Sequence, residues 1–148
     1  MADEITFNKL HEDIQDTLPD CDCIKDLNEE TTSIFIRGIR KDKITIDDFR
    51  SYWEEGRCRV KENCKTICDN KGVSIYKQIE GHTKGLERLK RISQNKPNRV
   101  SYACELKFKN NGGFVKEGKN SPFNHCNFYK SDQFETEKHI ETLKIYKL

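Results

Sequence analysis

The cysteines constrain this chain more than any other residue type. The sequence of 148 residues contains seven of them, and Cys58, Cys64 and Cys68 lie close together. An odd number of cysteines cannot pair completely within one chain, and thiols stay reduced in the cytoplasm, where we expect this protein. Thiolates that bind a metal therefore explain the group better than disulfides do. Reduced thiols buried in the core are the simpler alternative.

The length predicts one domain. A chain of 148 residues buries roughly two-thirds of the surface that it exposes when unfolded. The first residues lack the charged start and apolar run of a secretory signal, and no segment reaches the ~18 apolar residues of a membrane helix. We therefore expect a small intracellular, cytoplasmic protein that makes no contact with a membrane.

The two signs of charge are separated along the sequence. Residues 1–30 contain ten acidic and two basic residues, a net charge of −8, whereas residues 57–130 contain 17 basic and six acidic residues, a net charge of +11. We expect an acidic N-terminal helical segment, residues 1–30, to pack on a basic body, residues 31–148. A basic surface favours a nucleic acid, a nucleotide or an acidic protein as partner.

The apolar pattern predicts helices interspersed among strands. Apolar residues recur at the spacing of one helix face from Phe7 to Leu18, and Pro19 ends this helix. Further helices are predicted to begin at Thr45 and to cover residues 82–93 and 132–138, and strands are predicted at residues 32–38, 72–77, 99–108, 114–115 and 140–146. A turn at residues 110–113 is predicted to open a hairpin. The order predicts a single α+β domain with a mixed or antiparallel sheet of four to five strands and three to four helices.

Three cysteines have a spacing that suits a metal site. If residues 64–68 form a helical turn, the sulfurs of Cys64 and Cys68 lie on one face, and Cys58 can reach them from a loop. Three thiolates leave one tetrahedral position of a structural zinc ion open. We assign Cys23 to it, and the spacing leaves open the alternatives Cys21, Cys104, His125 and Cys126. The sequence thus predicts zinc as a cofactor, with a redox or iron–sulfur role as the alternative.

A basic helix face is the second candidate site. Lys84, Arg88 and Arg91 share the face opposite the leucines of the helix predicted at residues 82–93. Contacts with phosphates need only such positive charge, so these residues are the predicted partner-binding residues. A solvated helix surface is the alternative, and no motif that reads bases is present. The sequence therefore favours a binding or accessory protein with a structural zinc site.

An alternative function follows from a resemblance. Arg37 ends the first predicted strand, and Ser74 lies within a later strand, with a polar residue on a third. This order resembles the arginine, serine and glutamate of ADP-ribosyltransferase-like folds, in which the arginine and serine help to bind a nicotinamide dinucleotide. The resemblance implies an enzyme that acts on a nucleotide-like substrate. The glutamates available to orient the acceptor are Glu105, Glu135 and Glu141.

Overall fold

A computed structural model describes residues 5–14, 18–58, 62–79, 84–118, 121 and 123–148. The α-helices along these residues are α1 (Asn8–His11), α2 (Cys64–Lys71), α3 (Lys84–Asn95) and α4 (Thr136–His139), with a 3₁₀ helix at Ile46–Phe49. The strands are β1 (Phe35–Ile39), β2 (Val73–Lys77), β3 (Tyr102–Phe108), β4 (Gly113–Glu117), β5 (His125–Lys130) and β6 (Ile140–Lys147). The α+β class predicted from the sequence is confirmed.

The strands form one antiparallel sheet in the order β4-β5-β2-β1-β3-β6. The prediction of three to four helices agrees with the four α-helices of the described residues. The prediction of four to five strands is wrong, because β5, which is not among the predicted strands, pairs with both β2 and β4 and brings the number to six. Four consecutive residues of β5, 126–129, are buried, and one of them is the polar Asn127, so its sequence shows no clear alternation of apolar and polar residues.

The turn at residues 110–113 does not open the predicted hairpin. β3 is paired on both sides, with β1 through Phe35 and Leu106 and with β6 through Tyr102 and Lys147. A strand has only two edges that can hydrogen-bond in a sheet. The chain therefore crosses to the far edge, where β4 pairs with β5.

The N-terminal segment is less helical than the sequence predicts. Phe7, Leu10 and Ile14 are buried at the predicted spacing, but among the described residues of this segment regular helix covers α1 only. Glu12 has a φ of −57° and a ψ of 138°, which is not a helical conformation and ends α1. Residues 15–17 of the predicted helix lie outside the described residues.

A carboxylate from the other end of the chain fixes α1. One oxygen of Asp132 accepts a hydrogen bond from the Asn8 N–H at 2.8 Å, and the other accepts one from the Lys9 N–H at 2.8 Å. The hydroxyl of Thr6 also donates to Asp132, at 2.6 Å. N–H groups of the first helical turn lack partners within the helix. Asp132 therefore supplies from a distant segment the cap that this short helix does not carry itself.

The helix predicted to begin at Thr45 is a single 3₁₀ turn. The Asp48 carboxylate accepts from the Thr45 N–H at 2.8 Å, as in a helix capping box. Arg50 then has a φ of −89° and a ψ of 135°, and this extended conformation ends the turn. Phe49 at its end is fully buried, so the turn delivers one large aromatic side chain to the sheet.

One face of the sheet carries the main hydrophobic core, and we call it the core face. The ring of Phe128 stacks on that of Phe108 with centroids 4.0 Å apart. Phe49 approaches the Phe128 ring from the 3₁₀ turn and Phe134 from the loop before α4, with centroid distances of 6.4 and 5.3 Å. Aromatic rings bury a large apolar area, so this cluster is a major source of stability. The core continues along β1, β2, β3 and β5 through Phe35, Ile39, Val73, Ile75, Cys104, Leu106 and Cys126.

The opposite face, which we call the cleft face, is covered at its two ends. At one end the N-terminal segment and α2 pack on Phe114 of β4 and Tyr129 of β5. At the other end α3 packs on Ile36 of β1 and Ala103 of β3. In the middle, β2 and the adjoining part of β5, residues 125–127, lie between these two coverings. A groove therefore opens over them.

Two glycines bring the coverings close to the borders of this groove. A Cβ atom on Gly85 of α3 would lie 2.5 Å from the Cβ of Tyr76, and one on Gly72 after α2 would lie 2.6 Å from the Cβ of Asn127. Real Cβ atoms do not approach other side chains so closely, so both positions require glycine. The helices thus rest directly on the strands that form the groove floor.

Candidate functional site

Four cysteines converge beneath the N-terminal segment. Cys21 and Cys23 lie between α1 and β1, and Cys64 and Cys68 lie one turn apart on α2. Disulfides join Cys21 to Cys64 and Cys23 to Cys68. We call these four residues the cysteine cluster. Because both bonds connect the same two segments, the cluster anchors the N-terminal segment to α2.

Two distances between sulfurs of different disulfides in the cysteine cluster match the spacing of a tetrahedral metal site. The Sγ atom of Cys68 lies 3.8 Å from that of Cys21 and 3.9 Å from that of Cys64. Zinc–sulfur bonds of about 2.3 Å in a tetrahedron separate neighbouring sulfurs by roughly 3.8 Å. The sulfurs of Cys21, Cys23 and Cys68 all lie within 4.8 Å of one another. The cluster can therefore form two disulfides or, when reduced, hold a metal ion.

Polar contacts support the same junction. The ammonium of Lys71 donates to the carbonyl oxygens of Leu10 at 2.8 Å and Glu12 at 2.9 Å, and it lies 4.4 Å from the centroid of the Trp53 ring. The hydroxyl of Tyr129 donates to the carbonyl oxygen of Cys68 at 2.9 Å. Burial lowers the pKa of Lys71, although nearby carboxylates oppose this shift. Hydrogen bonds thus tie the N-terminal segment to α2, and α2 to β5, in addition to the two disulfides.

The predicted metal ligands come together in part. Cys23, Cys64 and Cys68 meet in the cysteine cluster, where Cys21 completes the set of four sulfurs. Cys21 was an alternative for the fourth ligand in the sequence-based prediction. Cys58 is buried and belongs to neither disulfide. Its sulfur is not among those that lie close enough to share an ion with Cys21, Cys23 and Cys68.

Two further alternatives for the fourth ligand lie elsewhere. Cys104 and Cys126 are buried side chains of the core face. Burial raises the pKa of each thiol to about 11. Both are therefore protonated at neutral pH, whereas metal ligands and nucleophiles need the thiolate. These two cysteines act as core residues.

The groove over the middle strands is a cleft of about 1210 Å³, which we call the central cleft. Its floor is formed by polar side chains that alternate with core residues on β2 and β5, namely Ser74, Tyr76, His125 and Asn127. Lys65, Asp69 and Asn70 of α2 line one side of it, and Arg88, Arg91 and Asn95 of α3 line the other. The cleft therefore combines a rigid polar floor with two helical walls.

Positive charge dominates the lining of the central cleft. Nine arginine and lysine side chains line it, against five carboxylates, which gives a net charge of +4. The cations are Arg37, Arg40, Arg50, Lys65, Arg88, Arg91, Lys96, Arg99 and Lys116. The carboxylates are those of Asp47, Asp48, Glu55, Asp69 and Glu117. A concave surface with an excess of one sign concentrates the opposite charge, so the cleft attracts anions.

Arg37 occupies a split in the sheet at one end of the cleft. The registered pairs of β1 and β2 are Phe35 with Lys77 and Ile36 with Tyr76. Beyond them the Nη1 of Arg37 donates to the carbonyl oxygen of Ser74 at 2.8 Å, and its Nε donates to that of Asp48 at 2.8 Å. Burial lowers the pKa of Arg37, and the nearby Asp48 opposes the shift. The guanidinium thus links β1, β2 and the 3₁₀ turn where the strands separate.

Ser74 and His125 form a hydrogen-bonded pair on the cleft floor. The Nε2 atom of His125 lies 2.9 Å from the Oγ of Ser74. Burial lowers the pKa of His125; Asp69 opposes this shift, and Arg37 adds to it. Half-buried histidine with a depressed pKa is neutral at neutral pH. The pair therefore joins a hydroxyl to an imidazole that can accept its proton.

The predicted basic helix face divides at the cleft. Arg88 and Arg91 line the central cleft, whereas Lys84, at the start of α3, is exposed and is not among the lining residues. Arg88 also lies over the ring of Phe123, with its Cζ 5.6 Å from the centroid. The three residues thus do not form one continuous lining.

The two residues that carry the resemblance also meet at the cleft. Arg37 is hydrogen-bonded to the backbone of Ser74, and both line the cleft. The polar residue that reaches Ser74 from a third strand is His125. None of the suggested glutamates, Glu105, Glu135 and Glu141, is among the described lining residues.

Sequence reasoning missed the role of the cleft floor. The alternation of residues along each strand indicates which side chains share a face. On β2, Ser74 and Tyr76 alternate with the core residues Val73 and Ile75 and so lie on the opposite face. On β5, His125 and Asn127 likewise lie on the face opposite to that of Cys126 and Phe128. Period-2 alternation indicates that these polar side chains share a face. It does not indicate that β2 and β5 are neighbours.

Comparisons with known proteins leave the site to be interpreted from its own residues. No protein-family model, curated protein or solved structure matches this chain. Among the residues that the structure describes, no helix combines the length and the apolar character that a membrane crossing requires.

Proposed function

We propose that this protein binds a nucleotide-sized, phosphate-bearing anion in the central cleft. The observation that carries the proposal is the excess of nine cationic over five anionic side chains around a single concave site. Arginine matches the geometry of phosphate oxygens through paired N–H donors. Arg88 and Arg91 on α3 face the cleft from one wall, and Lys65 on α2 faces it from the other. Cations on both walls suit a ligand held between them.

The dimensions favour a small ligand over a polymer. Pockets that enclose small molecules have volumes of roughly 300–1,000 Å³, and the central cleft, at about 1210 Å³, is close to that range. An extended nucleic acid or an acidic protein would also use the exposed cations outside the cleft, such as Lys84. We therefore infer that a nucleotide is the partner. Binding of a nucleic acid or an acidic protein instead is a result that the test below can detect.

Binding of adenosine diphosphate and of inorganic pyrophosphate to the full chain tests this proposal. Isothermal titration calorimetry at two salt concentrations should give a dissociation constant for each probe. The double variant R88A/R91A should weaken binding at least tenfold, because loss of about 1.4 kcal/mol of contact energy corresponds to that factor. The matched control K84A removes a cation of the same helix that does not line the cleft, and it should leave the constant unchanged.

Two results would overturn the nucleotide proposal. One is the absence of binding by either probe at low salt. The other is tight, strongly salt-dependent binding of an oligonucleotide or an acidic peptide that K84A weakens as much as R88A/R91A does. The second result would assign the partner to an extended basic surface.

We also propose that the reduced cysteine cluster holds one structural zinc ion. The support is that the Cys68 sulfur lies 3.8 and 3.9 Å from the sulfurs of Cys21 and Cys64, the separation of neighbouring sulfurs around a tetrahedral zinc ion, and that the sulfurs of Cys21, Cys23 and Cys68 lie within 4.8 Å of one another. In the cytoplasm, the compartment that we propose, thiols are kept reduced and such a site is favoured. In an oxidising compartment the same residues form the two disulfides. In either state the cluster joins the N-terminal segment to α2, which is one wall of the central cleft.

Elemental analysis and native mass spectrometry separate the two states. Protein purified with a reductant and without a chelator should contain one zinc ion per chain, and Cys21→Ser and Cys64→Ser should lose it. Cys58→Ser should keep it, because Cys58 lies outside the cluster, although the sequence alone favours it as a ligand. A metal-free protein whose mass shows two disulfides even after cytoplasmic expression would overturn the zinc proposal.

A further inference from the structure

The Ser74–His125 pair has the arrangement of a nucleophile and its base. The registered pairs of β2 and β5 include Ser74 with Asn127 and Tyr76 with His125. Ser74 and His125 are therefore diagonal neighbours on one face of two adjacent strands, a position from which long side chains can meet. Their hydrogen bond of 2.9 Å lies within the range that proton transfer to a general base requires. Both side chains line the central cleft.

The sheet holds both partners in fixed positions. The carbonyl oxygen of Ser74 accepts from Arg37 at 2.8 Å, and the N–H of His125 donates to the Oγ of Ser121 at 2.8 Å. The ring of Tyr76 meets the His125 imidazole edge-on, with centroids 5.7 Å apart. Side chains on paired strands are more precisely placed than those on loops, which favours catalysis over a transient contact.

The surrounding charges suit an anionic reaction centre. Arg37 is bonded to the Ser74 backbone. Burial raises the pKa of the Tyr76 phenol, and Arg88, on the wall beside it, opposes this shift through its positive charge. Positive groups beside the attacking oxygen stabilise the charge that develops on a phosphoryl group during its transfer. The site thus combines a base, a hydroxyl and fixed cations.

We propose that Ser74 is the nucleophile of a phosphoester hydrolase and that His125 is its general base. This inference rests on the proposed binding of a phosphate-bearing ligand in the central cleft. In the tautomer with its proton on Nδ1, His125 accepts the Ser74 hydroxyl proton at Nε2 while the Oγ–phosphorus bond forms. The ester oxygen–phosphorus bond breaks, and the leaving alkoxide takes the proton from His125. Water then attacks the phosphorus of the phosphoserine and gives one proton to His125. The Oγ–phosphorus bond breaks, the Ser74 oxygen takes that proton from His125, and phosphate is released.

The reaction of the full chain with diisopropyl fluorophosphate tests this assignment. The Oγ–phosphorus bond forms, the phosphorus–fluorine bond breaks, fluoride leaves, and the proton goes to His125. Intact and peptide mass spectrometry should find one label, on Ser74. Ser74→Ala should remove the label, and His125→Gln should slow labelling by roughly a factor of 100, the lower range of general-base effects. Ser101→Ala, a serine outside the cleft, is the matched control.

The outcomes separate this proposal from the one on which it rests. Labelling of the wild-type chain at the rate of Ser74→Ala would overturn the nucleophile assignment. If adenosine diphosphate binds the same preparation, the failure concerns the chemistry alone. If it does not bind, the proposed ligand class fails as well. Labelling that His125→Gln leaves unchanged, in a variant with the wild-type thermal unfolding temperature, would overturn the role of His125 as base.

Discussion

The two ends of the cleft face are covered in different ways. Over β4 and β5 lie the N-terminal segment and α2, and in their described residues regular helix covers four and eight residues. Over β1 and β3 lies α3, a helix of 12 residues that buries Leu89 against the sheet. The first covering is joined by two sulfur–sulfur bonds, and the described residues of the second covering contain no disulfide.

This difference indicates how each covering is stabilised. A helix of about 12 residues is near the length at which an isolated helix becomes marginal in water, and burial of one apolar face can then stabilise it. A segment that is mostly turn has to order its backbone without that cooperativity, at about 1–2 kcal/mol per residue. The cysteine cluster offsets this entropy by joining the segment to α2. The two cleft walls are thus held by different interactions, which can be removed separately.

The largest expected effect is loss of the cysteine cluster. The double variant C64S/C68S removes both bonds, which is necessary because either one alone closes nearly the same loop, with separations of 43 and 45 residues. Loop-closure entropy for this length corresponds to about 4 kcal/mol of unfolding free energy. Urea unfolding without reductant measures it. Cys58→Ala, the control, should cost about 1 kcal/mol, as for other small truncations in a core.

Equal losses for C64S/C68S and Cys58→Ala would contradict the comparison. They would mean that packing around the N-terminal segment, not the cross-link, stabilises this end of the sheet.

The next effect concerns the end that is held by packing. Leu89→Ala should lower the unfolding free energy by about 3 kcal/mol, because the side chain is 3% exposed and its loss leaves a cavity between α3 and the sheet. Lys90→Ala changes the exposed neighbour and should cost less than about 0.5 kcal/mol. Hydrogen exchange should accelerate in β1 and β3 more than in β4. Uniform acceleration over all strands would show that the two ends unfold as one unit.

The sequence predicts this fold where elements are long and regularly patterned. β3 and α3 lie close to the predicted positions because alternation and leucine spacing extend over seven and 12 residues. The sheet order is beyond such reasoning, because a strand's own pattern does not identify its neighbour. The predicted hairpin after β3 failed for this reason, since both edges of β3 are taken by β1 and β6.

A candidate site could be predicted from the sequence only as far as its residues lie close together in the chain. Cys64 and Cys68 lie one helical turn apart, so their proximity follows from α2 alone. The choice among Cys21, Cys23 and Cys58 depends on how the N-terminal segment packs, which spacing does not indicate. The Ser74–His125 pair joins residues 51 positions apart and requires β2 to lie beside β5. Its discovery therefore needs the tertiary structure.

A smaller effect comes from the cap that Asp132 supplies to α1. Burial raises the pKa of Asp132, but hydrogen bonds from Thr6, Lys9 and Asn8 outweigh it and leave the pKa below its ordinary value. The ionised carboxylate therefore contributes fully to the free energy of unfolding above about pH 4, the pKa of Asp in the unfolded chain. This contribution is lost as the pH falls through the lower pKa of Asp132 in the folded protein. Asp132→Asn should cost about 1 kcal/mol at pH 7.

Urea unfolding of the wild type and Asp132→Asn at several pH values between 7 and 2 checks this expectation. The difference in unfolding free energy should shrink towards acid pH. Glu137→Gln, an exposed substitution in α4, should leave stability within about 0.5 kcal/mol of the wild type. A difference that grows as the pH falls would contradict the cap assignment.

The smallest effects should come from two neighbouring glutamates whose ion pairs reach towards opposite edges of the sheet. Glu54 pairs with Lys130 of β5 at 2.6 Å, and Glu55 pairs with Arg99, which precedes β3, at 3.4 Å. Both pairs are partly exposed, so Glu54→Gln and Glu55→Gln should each cost about 0.5 kcal/mol, and less at high salt. Small and similar losses of unfolding free energy in the two variants, measured by urea unfolding, would sharpen the comparison. They would show that the two coverings differ in their disulfides and apolar packing and not in their ion pairs. A loss above about 1.5 kcal/mol in either variant would show that charge pairing also distinguishes them.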